Sequence, residues 1–243
     1  MSVNRLSRDW DELAEQDALF VVLAEPGREG GKWDLDEFFA TGEREIARLL
    51  AHADRLGRPA ARGQALDFGA GVGRLTRALS AHFEACVGVD VSAEMVRRAR
   101  ELNADRENCR FVHSVQPDLS QFESGTFDLV YSSKVLQHLP NERLACAYVE
   151  EFLRVTKPDG LVAFQLWTRL PLRNRLQPRR RAYAALRALR VPRPGLLRLG
   201  LSPRGRGLAV PEERIRRTIT DRGGAVLHTE PDGEWGLWYF AAP

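Results

Sequence analysis

The residues whose types and spacing point to chemistry are Asp67, Gly69, Gly71, Gly73 and Asp90. They lie in two stretches, Ala65-Leu66-Asp67-Phe68-Gly69-Ala70-Gly71-Val72-Gly73-Arg74-Leu75 and Val87-Gly88-Val89-Asp90. In the first, an apolar run leads into three glycines and then into a helical pattern. Glycine lets the backbone turn sharply and admits a ligand where a Cβ would otherwise stand. Ligands of doubly wound sheets bind beyond the carboxyl ends of the strands. A plain strand-to-helix turn would use the same glycines, so the loop alone is weak evidence. Asp90, at the end of the next apolar run, strengthens it: a carboxylate there can accept both hydroxyl hydrogens of a ribose.

Two kinds of nucleotide ligand compete. The dinucleotide fingerprint is G-x-G-x-x-G, whose third glycine lets helix and strand pack closely. Here the third glycine, Gly73, comes one residue early, and Arg74 stands at the dinucleotide position. Asp67 adds to the argument. A carboxylate beside a pyrophosphate is repelled, whereas one beside an α-ammonium group is attracted. Both residues disfavour a nicotinamide-dependent oxidoreductase.

Alternating elements must position these residues. Strands are expected at 64–68, 85–89, 110–114, 127–132 and 161–167, with a turn at Lys157-Pro158-Asp159-Gly160. Helices are expected at about 43–55, at 74–83, after the N-cap Ser92, and after the N-cap Asn141. The pattern breaks at 168–210 and resumes with a helix at 211–222 and strands at 225–229 and near 237–241. The loop Glu230–Glu234 between the last two implies an antiparallel hairpin at one edge. The fold class is therefore α/β, a doubly wound, mainly parallel sheet with an antiparallel edge strand and a helical basic cap insertion. The division expected is an N-terminal arm (1–42, a short helix and a loop), a core (43–167), the cap (168–210) and the end of the core (211–243).

These stretches together resemble a known family. Leu66–Gly73 resembles the first motif of class I S-adenosylmethionine (SAM)-dependent methyltransferases, and Val87–Ser92 with Met95 resembles the segment that follows it. Phe127–Ser132 and Val135-Leu136-Gln137-His138-Leu139-Pro140 look like the fourth strand and its loop in the branch of ubiquinone-biosynthesis and natural-product tailoring enzymes. Arg154–Gly160 is similar to the turn before the fifth strand. The resemblance is strong over 64–167 and extends to 211–241 in layout only. It implies a seven-stranded sheet in the order 3-2-1-4-5-7-6, and SAM as cofactor. Asp67, Phe68, Gly69, Ala70, Gly71, Gly73 and Arg74 would surround its methionine part. Asp90 would bind the ribose, and Val91 and Met95 would lie against the adenine. Asp118 and Leu119 would sit at the adenine amine, although Val115-Gln116-Pro117 departs from the family's spacing. Ser132, at the end of the fourth strand, completes the set.

Methyl transfer from a sulfonium is an in-line displacement, and a hydroxyl nucleophile also needs a base. His138, just after the fourth strand, is the candidate, since an imidazole pKa of about 6.5 suits proton removal near neutrality. Its position resembles the active-site histidine of phosphoethanolamine methyltransferases, but Lys134 stands where those enzymes have an acid, and no matching tyrosine lies near the N-terminus. The competing role for His138 is capping or packing. His113, His82 and His228 read as structural or surface residues. Trp167 could line a substrate pocket or belong to the core, and Phe38, Phe39 and Thr41 are candidates to close over the cofactor. No His, Cys, Asp or Glu grouping has metal-ligand spacing along the chain, so no metal is expected.

The chain has 243 residues and a net charge of +3, and the basic charge is concentrated. Twelve arginines and no acids lie between Arg169 and Arg206, which leaves the rest of the chain net acidic. The segment reads as a solvated cap with helical character at 182–189 (Tyr183, Leu186 and Leu189 inward), as a site for an anionic or carrier-bound substrate, or as a nucleic-acid or anionic-membrane surface. The few aromatics among the arginines count against stacking on single strands, so nucleic acid is the least favoured. Cys86, Cys109 and Cys146 fit neither a disulfide framework nor a metal motif, and no secretory signal or membrane span is evident, so a cytoplasmic setting is expected. The reading is a methyltransferase of small molecules in specialised metabolism, acting on oxygen in preference to nitrogen or carbon. The alternatives are a SAM-binding protein that does not methylate and an RNA methyltransferase.

Overall fold

The central strands read as continuous apolar runs because both of their faces are covered. In β1 (Gln64–Phe68) the period of two sends Ala65 to one core layer and Leu66 and Phe68 to the other. The computed structural model describes residues 3–170, 178–192, 195, 196, 199 and 207–243. Much of the arginine-rich segment, including the side chains of Arg179 and Arg180, lies outside them.

The elements before the cap are α1 (Val3–Val22), α2 (Leu35–Leu56), β1, α3 (Arg74–Leu79), β2 (Ala85–Asp90), α4 (Ala93–Leu102), β3 (Cys109–His113), β4 (Phe127–Ser132), a 3₁₀ turn (Leu136–His138), α5 (Glu142–Val155) and β5 (Thr156–Trp167). They are followed by α6 (Pro178–Ala188), α7 (Glu212–Thr220), β6 (Ala225–Asp232) and β7 (Gly236–Ala242). The sheet has seven strands in the order β3-β2-β1-β4-β5-β7-β6. Strand β7 is antiparallel to β5 and to β6, and the other pairings are parallel. One core layer joins Ile46, Leu49 and Leu50 of α2 and Leu75 and Leu79 of α3 to the sheet. The other brings Tyr148, Phe152 and Leu153 of α5 and Ile215 and Ile219 of α7 to the opposite face. Buried Asp128 ties the middle together: its carboxylate accepts the Gln64 N–H at 2.7 Å and pairs with Lys157 at 3.0 Å.

Three local expectations change. Helix α2 begins at Leu35, well before position 43, with the Asp34 carboxylate accepting the Glu37 N–H at 3.0 Å as its N-cap. Gly42 does not delay the helix. A Cβ there would stand 2.6 Å from the Arg74 carbonyl oxygen, so glycine allows α2 and the start of α3 to approach. Strand β5 is entered through the expected turn residues 157–160, as a register irregularity opposite Phe127 and Leu129. Helix α6 spans Pro178–Ala188, and Leu189, expected inward, is 74% exposed because the helix has ended.

Candidate active site

A cavity of about 460 Å³ opens beyond the carboxyl ends of β1, β2 and β4, where a doubly wound sheet binds ligands. Of the residues singled out from the sequence, Phe68, Gly69, Ala70, Gly71, Arg74, Asp90, Val91, Met95, Asp118, Leu119 and His138 line it. Asp67, Gly73 and Ser132 do not, and neither do Trp167, Phe38, Phe39 and Thr41.

The glycine loop is built to leave room. Gly69 has φ 81°, and a Cβ on it would stand 2.2 Å from Val135 Cγ2. The loop is tied to the neighbouring strand through Asp90, whose two carboxylate oxygens accept the Gly71 N–H and the Ser92 N–H, each at 2.8 Å. Each oxygen keeps further acceptor capacity at the cavity wall, which suits a vicinal diol. Burial holds the Asp90 carboxyl above its ordinary range despite these N–H donors. Ser92 also caps α4 by accepting the Met95 N–H at 3.1 Å, which fixes Met95 against the cavity.

The three residues that miss the cavity shape it from behind. Alternation along β1 turns Asp67 towards α3, where it is fully buried and accepts the Thr76 hydroxyl at 2.7 Å. Burial pushes its carboxyl up to about 7, against the Thr76 hydrogen bond and the nearby Arg74 charge. Gly73 caps α3, and a Cβ there would meet Asn103 and Phe111 at 2.6 and 2.7 Å. The Ser132 hydroxyl donates to the Phe68 carbonyl at 3.1 Å.

Glu45, which the sequence did not flag, organises the other side of the loop. Its carboxylate meets Arg74 at 2.8 Å and accepts the hydroxyls of Ser133 at 2.6 Å and Tyr131 at 3.0 Å. Burial raises its pKa, but the Arg74 charge and these donors outweigh it, so the carboxyl stays below its ordinary range. Arg74 also donates to Thr41 Oγ1 at 3.1 Å. Helix α2 thus holds both the residue after the third glycine and the loop after β4. Lys134, next in that loop, lines the cavity with φ 59°, a conformation that a side-chain-bearing residue rarely adopts.

Helix α1 forms the remaining wall, with Leu6, Trp10 and Leu13 at helical spacing along it. Trp10 meets His138 edge to face, with ring centroids 5.3 Å apart. The helix is latched by Asp11, whose carboxylate accepts the Ser92 hydroxyl at 2.7 Å and the Glu94 N–H at 3.1 Å. A second groove, on the outer side, is lined by Arg5, Asp9 and Glu12 of α1 and by Tyr183 and Arg187 of α6. The predicted helix of the cap therefore lies beside the wall of the cavity. His113 Nε2 lies 3.2 Å from the Val91 carbonyl oxygen, in keeping with a structural role.

Residues 66–164 match the methyltransferase domain family. Over those residues this chain carries a methyltransferase domain. The domain begins within β1 and ends within β5, so it contains the glycine loop, Asp90 and His138. Chloroplastic tocopherol O-methyltransferase of Arabidopsis thaliana is 33% identical over 105 residues, 42% of this chain and 29% of that enzyme. Trans-aconitate 2-methyltransferase of Deinococcus radiodurans is 37% identical over 105 residues, 42% of this chain and 37% of that enzyme. The chain thus spans well under half the length of both relatives. Magnesium protoporphyrin IX methyltransferase of Synechocystis PCC 6803, solved with bound SAH, has the same fold: TM-score 0.60 and 20% identity, covering 99% of each chain.

Proposed function

We propose that this methyltransferase-domain chain transfers the methyl group of SAM to a small-molecule acceptor, at oxygen in preference to nitrogen or carbon. The observation that carries the reading is the placement of Asp90, the glycine loop and His138 on one cavity. The methyltransferase domain, and the solved structure of like fold that holds SAH, support SAM as the cofactor.

The residues present fit such a ligand. The glycine loop supplies a cradle that a Cβ would fill, and Asp90 offers a carboxylate to the ribose hydroxyls. Val91, Met95 and Leu119 give an apolar slot for adenine, with Asp118 as acceptor for its amine. Arg74 presents a cation to the amino-acid carboxylate. Asp67, Gly73 and Ser132 support this set indirectly, through Thr76, the start of α3 and the Phe68 carbonyl. The cofactor brings the electrophilic methyl and its own leaving group. His138 accepts the proton of an acceptor hydroxyl, and Trp10 orients its ring. The apolar wall of α1 excludes water from the exchange.

The acceptor is proposed to carry an acidic group. Lys134 places an ammonium at the cavity, and the cap helix brings Arg187 to the outer side of α1. The named acceptors of the relatives, tocopherol and trans-aconitate, differ enough that neither is assigned here. The division into arm, core, cap and core end is kept as part of the proposal, with α1 of the arm walling the cavity and the cap helix packed outside α1, while α2 runs on from the arm into the core. Among the described residues, no helix is long and apolar enough to cross a membrane.

Calorimetric titration with SAM and with NAD tests the cofactor, on wild type and on Asp90→Ala. The expected result is SAM binding alone, weakened at least tenfold in the variant. An acceptor panel of phenols, carboxylic acids and amines, read by SAH release and product mass, tests the reaction. His138→Ala should keep SAM affinity and lose kcat. Binding of SAM without product from any acceptor would overturn the transferase reading.

A further inference from the structure

Away from the cavity, α2 and β6 bring three metal-ligating side chains together: His52, His228 and Glu230. His228 and Glu230 are two apart on β6, so they share the face that turns towards α2. Their partners across the ladder, Phe240 and Trp238, belong to the core layer under α2. The His52 ring stacks on Phe240 at 5.3 Å and lies beside His228 at 6.1 Å. Its Nε2 is 3.1 Å from Glu230 Oε2, and one ligand atom from each of the three residues lies within 4.8 Å of the others.

We propose that His52, His228 and Glu230 bind a divalent transition-metal ion of the zinc class, outside the transfer site. Two imidazoles and one carboxylate form a three-ligand set that leaves a fourth position to water, and the nitrogen donors select against magnesium and calcium. Bonds of about 2.0–2.2 Å in tetrahedral geometry need ligand atoms roughly 3.3–3.5 Å apart. Reaching that takes about 1 Å of movement, which exposed His228 and partly exposed Glu230 can supply.

One contact opposes the ion and sharpens the test. Arg55 Nη2 lies 2.9 Å from His52 Nδ1. A guanidinium can only donate, so this contact keeps Nδ1 as an acceptor and leaves the proton of the neutral ring on Nε2, facing Glu230. Coordination through Nε2 requires that proton on Nδ1, and so requires Arg55 to swing away. Arg55 is exposed and can do so, but its charge and its hydrogen bond both count against the metal. Removing Arg55 should therefore tighten binding. The ion would clamp the second half of α2 to the edge strand, on the helix whose first half holds Arg74 through Thr41 and Glu45.

The experiment is calorimetric titration of tag-free protein with zinc chloride, with magnesium chloride as the control. The expected result is one saturable zinc site per chain and no magnesium binding. His228→Ala and His52→Ala should each weaken zinc at least tenfold, and Arg55→Ala should strengthen it several-fold. Metal-free melting curves establish that the variants are folded, and His228, being exposed, keeps the test valid if His52→Ala is not. Absence of a one-equivalent site, or zinc affinity unchanged in His228→Ala or in Arg55→Ala, would overturn the proposal. None of the three residues lines the cavity, so the result stands apart from SAM binding.

Discussion

Arg74 and Glu45 form a buried ion pair at 2.8 Å that joins the glycine loop to α2. Their side chains are 5% and 23% exposed, so neither charge is well solvated alone. Removing one partner of such a pair costs about 3–5 kcal/mol, whereas replacing both with apolar groups costs far less. Glu45→Ala should thus destabilise the fold strongly, and adding Arg74→Met should restore part of the loss. A urea-unfolding double-mutant cycle measures the coupling. Independent, additive losses would show that the pair does not act as a unit.

Gly69→Ala meets two obstacles that can be separated. The positive φ strains any side chain, and the new Cβ collides with Val135. The variant should lose roughly 1–3 kcal/mol of stability and most SAM affinity. Adding Val135→Ala removes the collision and leaves the strain, so affinity should recover in part. Full recovery would mean that φ at this position is unimportant.

Asp67 makes stability depend on pH in an unusual direction. Its carboxyl is pushed from 3.8 in an exposed setting to about 7 by burial. The folded state then binds more protons than the unfolded state between these values, so this residue's contribution falls as pH rises through that window. The difference in stability between wild type and Asp67→Asn should shift against wild type by up to about 4 kcal/mol from pH 4 to 7 and stay level above it. Unfolding curves at about pH 5 and about pH 8 read the effect directly. A pH-independent difference would show that Asp67 titrates normally in the folded protein.

Trp10 and Asp11 should control how long the cofactor stays. Trp10→Ala opens the wall beside His138, and Asp11→Ala releases α1 from the start of α4. Each should speed SAM dissociation by roughly tenfold, equivalent to about 1.4 kcal/mol, with a smaller change in association. Binding kinetics on immobilised protein test this. An unchanged dissociation rate in both variants would show that α1 does not retain the ligand.

The sequence by itself determined the sheet and the half of the site that follows it. Apolar runs, helix caps and three glycines are local signals, and they locate β1, the loop that leads from it into α3, β2 and Asp90 without any knowledge of tertiary contacts. The resemblance supplied the strand order. What the sequence could not show depends on separation along the chain. Glu45 is one of many acids on an amphipathic helix until folding sets it beside Arg74, Tyr131 and Ser133. Asp11 caps a helix that begins far along the chain. Asp67 looked like a ligand residue by position, yet the two-residue period of β1 aims it at Thr76. His52 and His228 have no shared motif, because their meeting is made by α2 packing over the β6–β7 edge. Local patterning fixes which backbone groups can cradle a ligand, whereas long-range packing decides which charged side chains end up buried together, and a buried charge takes its properties from those neighbours.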